Sequence, residues 1–121
     1  MKIYKHYQFA KWMRKMGLHD NNLKEAVAEI ANGLIDADLG QGVLKKRIAL
    51  PGRGKSGGAR TIIAFRMDHR TIFIYGFAKN DKDNISKSDE EQLKQYAKTL
   101  LGFTEQQIKN AIKIGELIEV V

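Results

Sequence analysis

Phe9, Trp12, Met13 and Met16 recur at helical spacing and form one apolar stripe, and Gly17 is placed to end the helix that carries them. Leu23, Val27, Ile30 and Leu34 repeat the pattern, which predicts a second helix from about Asp20 to Ala31. Asn22 and Glu25 have capping-box spacing, with His19 and Asp20 as the other candidate caps. Gly17-Leu18-His19 joins the two helices as a short hairpin. The pattern then changes. Val43 to Leu50 reads as a strand with Leu44, Ile48 and Leu50 on one side. Ala59–Arg66 and Thr71–Ala78 are two more strands, rich in Ile, Phe, Thr and Tyr, turning through Met67-Asp68-His69-Arg70. Helical spacing returns in Leu93, Tyr96, Ala97 and Leu100, behind a Ser88/Glu91 capping box and ended by Gly102. A last helix opens at Thr104 and Gln107, carries Ile108, Ala111 and Ile112, and stops near Gly115. Leu117 to Val121 is an apolar tail that the pattern assigns to no element.

This order predicts an α+β fold in a single domain over residues 1–121. It has an antiparallel sheet of about three strands, an N-terminal helix hairpin and C-terminal helices. No internal repeat or long linker divides the chain. Alternation along the two hairpin strands, with Arg66 opposite Thr71, sorts their faces. Ala59, Thr61, Ile63 and Phe65 share an apolar face with Ala78, Gly76, Ile74 and Ile72. Arg60, Ile62, Ala64 and Arg66 share the other with Phe77, Tyr75, Phe73 and Thr71, and Lys79 extends it. Arg60 lies across from Phe77. Rings stack bases and cations hold phosphates, so this face suits single-stranded RNA. The competing expectation is a second core under the C-terminal helices, which Phe73 and Ile62 fit better.

Charge sharpens this picture. The net charge is +7 over 121 residues. From Gln41 to Arg70 there are eight bases and one acid, Asp68, so the rest of the chain is neutral. A surplus confined to one quarter of the sequence points to a phosphate-polymer partner. The chain has no cysteine, hence no disulfide and no thiolate metal site. No apolar run reaches membrane-spanning length and no secretory signal is visible, so a cytoplasmic protein with no membrane contact is expected.

The loop Gly52-Arg53-Gly54-Lys55-Ser56-Gly57-Gly58 is not a nucleotide-binding P-loop. The first glycine of that motif would fall on Ala49, and a strand follows, not a helix. Its glycines instead permit close backbone approach to a phosphate, with Arg53 and Lys55 supplying charge. His6, His19 and His69 make no acid–base pair, no acids and histidines have metal-ligand spacing, and Ser56 has no base beside it. No cofactor is expected.

Three stretches carry a family likeness. They are Leu44-Lys45-Lys46-Arg47-Ile48, the run from Pro51 to Arg60, and Phe73-Ile74-Tyr75-Gly76-Phe77-Ala78-Lys79-Asn80-Asp81. With the helix pair before them and the Ser88–Glu91 helix after, the chain resembles the HigB-like branch of the RelE/ParE toxin superfamily over nearly its whole length. The resemblance implies a toxin of a type II toxin–antitoxin system, partnered by a cognate antitoxin. It implies cleavage of translated mRNA in the ribosomal A site. The matching catalytic positions are Lys55, Arg60 and Lys79, with Lys46, Arg47 and Arg53 as phosphate contacts; Phe77, from the hairpin face, is the candidate base-stacking ring. RelE also uses a tyrosine near its C-terminus. No counterpart is found here, because Tyr96 lies on a buried helix stripe. The implied chemistry is attack of a 2′-hydroxyl on its own 3′-phosphate without a metal. Lys55 acts as base, favoured by neighbouring cations, Arg60 as clamp and Lys79 as acid or second clamp. A gyrase-poisoning toxin on the same fold, or a non-catalytic RNA- or ribosome-binding module, are the alternatives.

Overall fold

A computed structural model describes residues 1–52, 58–67, 69–79 and 85–121. Two helices come first, α1 (Tyr7–Lys15) and α2 (Asp20–Ala31), at the positions their stripes predict. Their N-caps are His6, whose Nδ1 accepts from the Gln8 N–H at 3.1 Å, and His19, whose own N–H donates to Asn22 Oδ1 at 2.8 Å. At the other end lie α3 (Lys87–Leu101) and α4 (Glu105–Lys113). Ser86, not Ser88, caps α3, accepting from the Asp89 N–H at 3.1 Å. Thr104 and Gln107 form the capping box expected for α4. Among the described residues no helix is long and apolar enough to cross a membrane.

The sheet is larger than the expected three strands. Among the described residues it has six, in the order β2-β3-β4-β5-β1-β6. Three were anticipated: β3 (Val43–Ile48), β4 (Ala59–Arg66) and β5 (Arg70–Ala78). The additions are β1 (Lys2–His6), β2 (Ala37–Gly40) and β6 (Leu117–Val120), which is the apolar tail. Nor is the sheet wholly antiparallel, because β1 runs parallel to β5 and antiparallel to β6. These strands have four or five residues each, too few to show an alternation above background, and β1 finds both partners far along the chain.

Helices cover both faces. Phe9, Met13, Leu23, Val27 and Ile30 pack with Leu44, Ile48, Ile63 and Phe73 on one side. Ala97, Leu100, Leu101, Ile108 and Ala111 pack with Val43, Ile62, Ile72, Ile74 and Phe77 on the other. Every residue of β4 from Ala59 to Ala64 is therefore buried. The expected open face of rings and cations is a second core, closed by α3 and α4. Trp12 is only partly buried and packs against Gly76, where an added Cβ would overlap its ring.

The hairpin register holds for half its length. Arg60 faces Phe77, Thr61 faces Gly76 and Ile62 faces Tyr75, as alternation predicts. The register then shifts, so Ile63 faces Phe73 and Arg66 faces Arg70 rather than Thr71. This β-bulge puts Ile74 and Tyr75 on the same side and sends Phe73 to the α1 face. The run Thr71–Tyr75 holds no charged residue that could mark a face, so alternation alone could not reveal the extra residue.

Candidate active site

Of the cations that the sequence singled out, Lys46 and Arg47 lie on β3, Arg60 on β4 and Lys79 just beyond β5. At the end of the sheet away from the Arg66/Arg70 turn, Gly58 closes onto β3, and a Cβ there would overlap the Ile48 carbonyl oxygen. The Lys79 N–H donates to the Gly58 carbonyl at 3.1 Å. Lys79 thus follows β5 directly beside the start of β4, with an exposed side chain. Two residues into β4, Arg60 sits between Phe77 of β5 and Arg47 of β3, its partners across the two ladders. Lys55 and Arg53 lie outside the described residues.

Arg60 is the unusual member. It is 8% exposed, yet its Nη1 is buried and has no hydrogen-bond partner among the described residues. Its Nε lies 3.6 Å from Asp36 Oδ2. The same oxygen accepts from Arg47 Nε at 2.9 Å. Arg47 keeps about half of its side chain in solvent, so its head group is reachable. A buried guanidinium N–H without an acceptor is costly, and an anionic oxygen would satisfy it. Phosphate is the obvious donor of such an oxygen in a partner chain.

Lys46 and Phe77 take other roles than the sequence suggested. Lys46 is 3% exposed and faces α2, where its Nζ is 2.8 Å from Glu29 Oε1. The Lys46 carbonyl also accepts from Thr61 Oγ1 at 2.9 Å. It ties α2 to the sheet and is not presented to an RNA. Phe77 is 3% exposed in the core under α3, beside the half-buried Tyr75. Its ring is part of that core, across the ladder from Arg60, and offers no free face for a base.

Two groups were underrated. Asp36, an acid just outside the basic window, touches both arginines, and only cross-strand geometry could have found it. Arg70, expected in a turn, is buried in β5. Its Nη1 donates to the Leu100 and Phe103 carbonyls, each at 3.0 Å, which closes the C-terminal end of α3. Tyr96, expected on a buried helix stripe, is only partly buried at the edge of the second core. Its hydroxyl donates to Glu116, and burial followed by that carboxylate pushes its pKa well above the ordinary tyrosine value. His6 stands edge-on to the Tyr96 ring, and burial lowers its pKa, with Glu116 opposing.

The family model described as the RelE toxin of the RelE/RelB toxin–antitoxin system matches residues 1–120. No curated protein matches the chain.

Proposed function

The chain belongs to the RelE toxin family of RelE/RelB toxin–antitoxin systems, and on that premise we propose that it is a ribosome-dependent endoribonuclease acting on translated mRNA in the cytoplasm. The observation that carries this reading is Arg60, a guanidinium withdrawn from water with a donor still unpartnered among the described residues. Such a donor is preorganised for charge that develops on a phosphate, and it needs no reorganisation when the charge appears. In the reaction, a 2′-hydroxyl gives up its proton and attacks the adjacent 3′-phosphorus. The bond to the 5′-oxygen breaks, that oxygen takes a proton, and a 2′,3′-cyclic phosphate remains. We assign Lys55 as base, Arg60 as clamp, and Lys79 as acid or second clamp, with Arg47 and Arg53 holding flanking phosphates. The ribosomal A site supplies the orientation of the message that so small an enzyme does not provide alone. A cognate antitoxin restrains it, either over Arg60 and Lys79 or by blocking ribosome entry.

The test is to express the chain briefly without antitoxin and map RNA 5′-hydroxyl ends. Expected are growth arrest and cuts confined to translated reading frames, which disappear with Lys55→Ala or Lys79→Ala while the proteins stay folded. Growth arrest with DNA breaks and no new RNA ends would point to a gyrase poison. If the variants lose ribosome affinity and cleavage rate in equal proportion, the residues only bind.

A further inference from the structure

We infer that Asp36 is a positioning residue for Arg60: it orients the guanidinium for the cleavage step and offsets charge that would otherwise hold uncut RNA too tightly. The inference rests on the ribonuclease reading above. Three observations lead to it. The Asp36 N–H donates to the Lys45 carbonyl at 2.9 Å, which pins this residue to β3 directly ahead of β2. The β3–β4 register sets Arg47 and Arg60 face to face, an arrangement that like charges alone would oppose. A single oxygen, Asp36 Oδ2, answers both, at 2.9 Å from Arg47 Nε and 3.6 Å from Arg60 Nε.

Asp36 is nearest both arginines at Nε and does not itself take up their outer nitrogens. For Arg60 that includes the buried Nη1. At 3.6 Å the carboxylate acts on Arg60 through its charge and not through a hydrogen bond, and that charge favours one orientation of the guanidinium's remaining donors. Orientation of this kind matters most in the transition state, where the phosphorane carries more charge than the ground-state diester. The negative charge of Asp36 acts on the other side of the balance. Without it, two adjacent uncompensated cations would bind any phosphate more strongly, cut or uncut.

The experiment compares parent, Asp36→Asn, Asp36→Glu and Arg60→Ala in single-turnover cleavage on programmed ribosomes, with ribosome affinity measured across salt concentrations. Asp36→Asn keeps the shape and removes the charge. Its cleavage step should slow by about 10–100-fold, the scale of a misplaced catalytic contact. Affinity should stay level or tighten, and the log–log salt slope should steepen by about one for the extra free cation. Asp36→Glu should restore the salt slope and part of the rate. Asp36→Ser serves the same comparison if Asp36→Asn does not stay folded. If Arg60→Ala is inactive but Asp36→Asn cleaves like the parent, Asp36 positions nothing and the ribonuclease reading stands. Equal losses of rate and affinity in Asp36→Asn would make Asp36 a structural residue and overturn the inference. If Arg60→Ala itself cleaves like the parent, the ribonuclease site falls and this inference with it.

Discussion

Lys46 and Arg60 are both strand cations held out of water, one under α2 and the other at the end of the β3–β4–β5 ladders away from the Arg66/Arg70 turn, and they differ in how completely they are answered. Lys46 has a carboxylate at 2.8 Å from Glu29. Arg60 has one at 3.6 Å, shared with Arg47, and a buried nitrogen with no partner among the described residues. Arg70 belongs with Lys46, since two carbonyls and Glu105 meet its guanidinium. Burial of a cation therefore does not by itself distinguish structure from function here. What distinguishes them is whether the fold supplies the counter-groups or leaves one place open. A charge fully answered by the protein can be retained for packing and register. A charge partly answered stores a preference for a ligand that completes it.

The contrast can be broken most sharply at Arg60. Arg60→Ala should cut single-turnover cleavage by about 100-fold or more, the usual scale for a lost oxyanion donor. Its denaturant midpoint should stay close to the parent's, because the removed group lacked a full set of partners. A large loss of stability with Arg60→Ala would place it beside Lys46 as a structural ion pair. The next effect runs the other way. Lys46→Ala should cost about 2 kcal/mol in urea melts, below the range for fully buried pairs because Glu29 can rehydrate. Cleavage per folded molecule should stay within a few-fold of the parent. A specific loss of cleavage in fully folded Lys46→Ala would return Lys46 to the RNA surface.

His6 is a third case, a group answered in one charge state only. Its Nδ1 accepts from the Gln8 N–H to cap α1, so that nitrogen must be unprotonated. Burial lowers its folded pKa below 6.5. The unfolded chain then takes up this proton more readily than the folded one. Its contribution is whole above pH 6.5 and is lost as pH falls toward the lowered folded value. The parent should lose stability across that window faster than His6→Asn, which can cap without titrating. This is the smallest of the three effects, read as a difference between two melting curves against pH. Identical pH profiles would show that the His6 cap is not linked to protonation.

The sequence by itself determined the elements whose signals are local. Helix stripes and end signals placed α2 and the start of α4 closely, because a helix satisfies its hydrogen bonds within a few positions of itself. Arg60 does lie across from Phe77 as the alternation predicts, but only because the bulge at Ile74 offsets the Arg66–Arg70 pairing beside the turn. The family likeness, carried by the basic strand and its glycine loop, was legible for the same reason as the helices. Only the tertiary structure decided the rest. β1 is a strand because Arg70–Phe73 and Leu117–Val120 flank it, and nothing within Lys2–His6 announces those partners. The bulge at Ile74 moved Phe73 to the opposite core, which an unbroken apolar run could not foretell. Lys46 and Arg60 look alike in the sequence, two bases in one basic window. Their roles diverged because Glu29 reaches one of them fully, while Asp36 divides itself between the other and Arg47. Ion pairs are strong in a low-dielectric interior and each cation's share depends on which carboxylates reach it, so contacts made by residues far apart in the chain set the role of each cation.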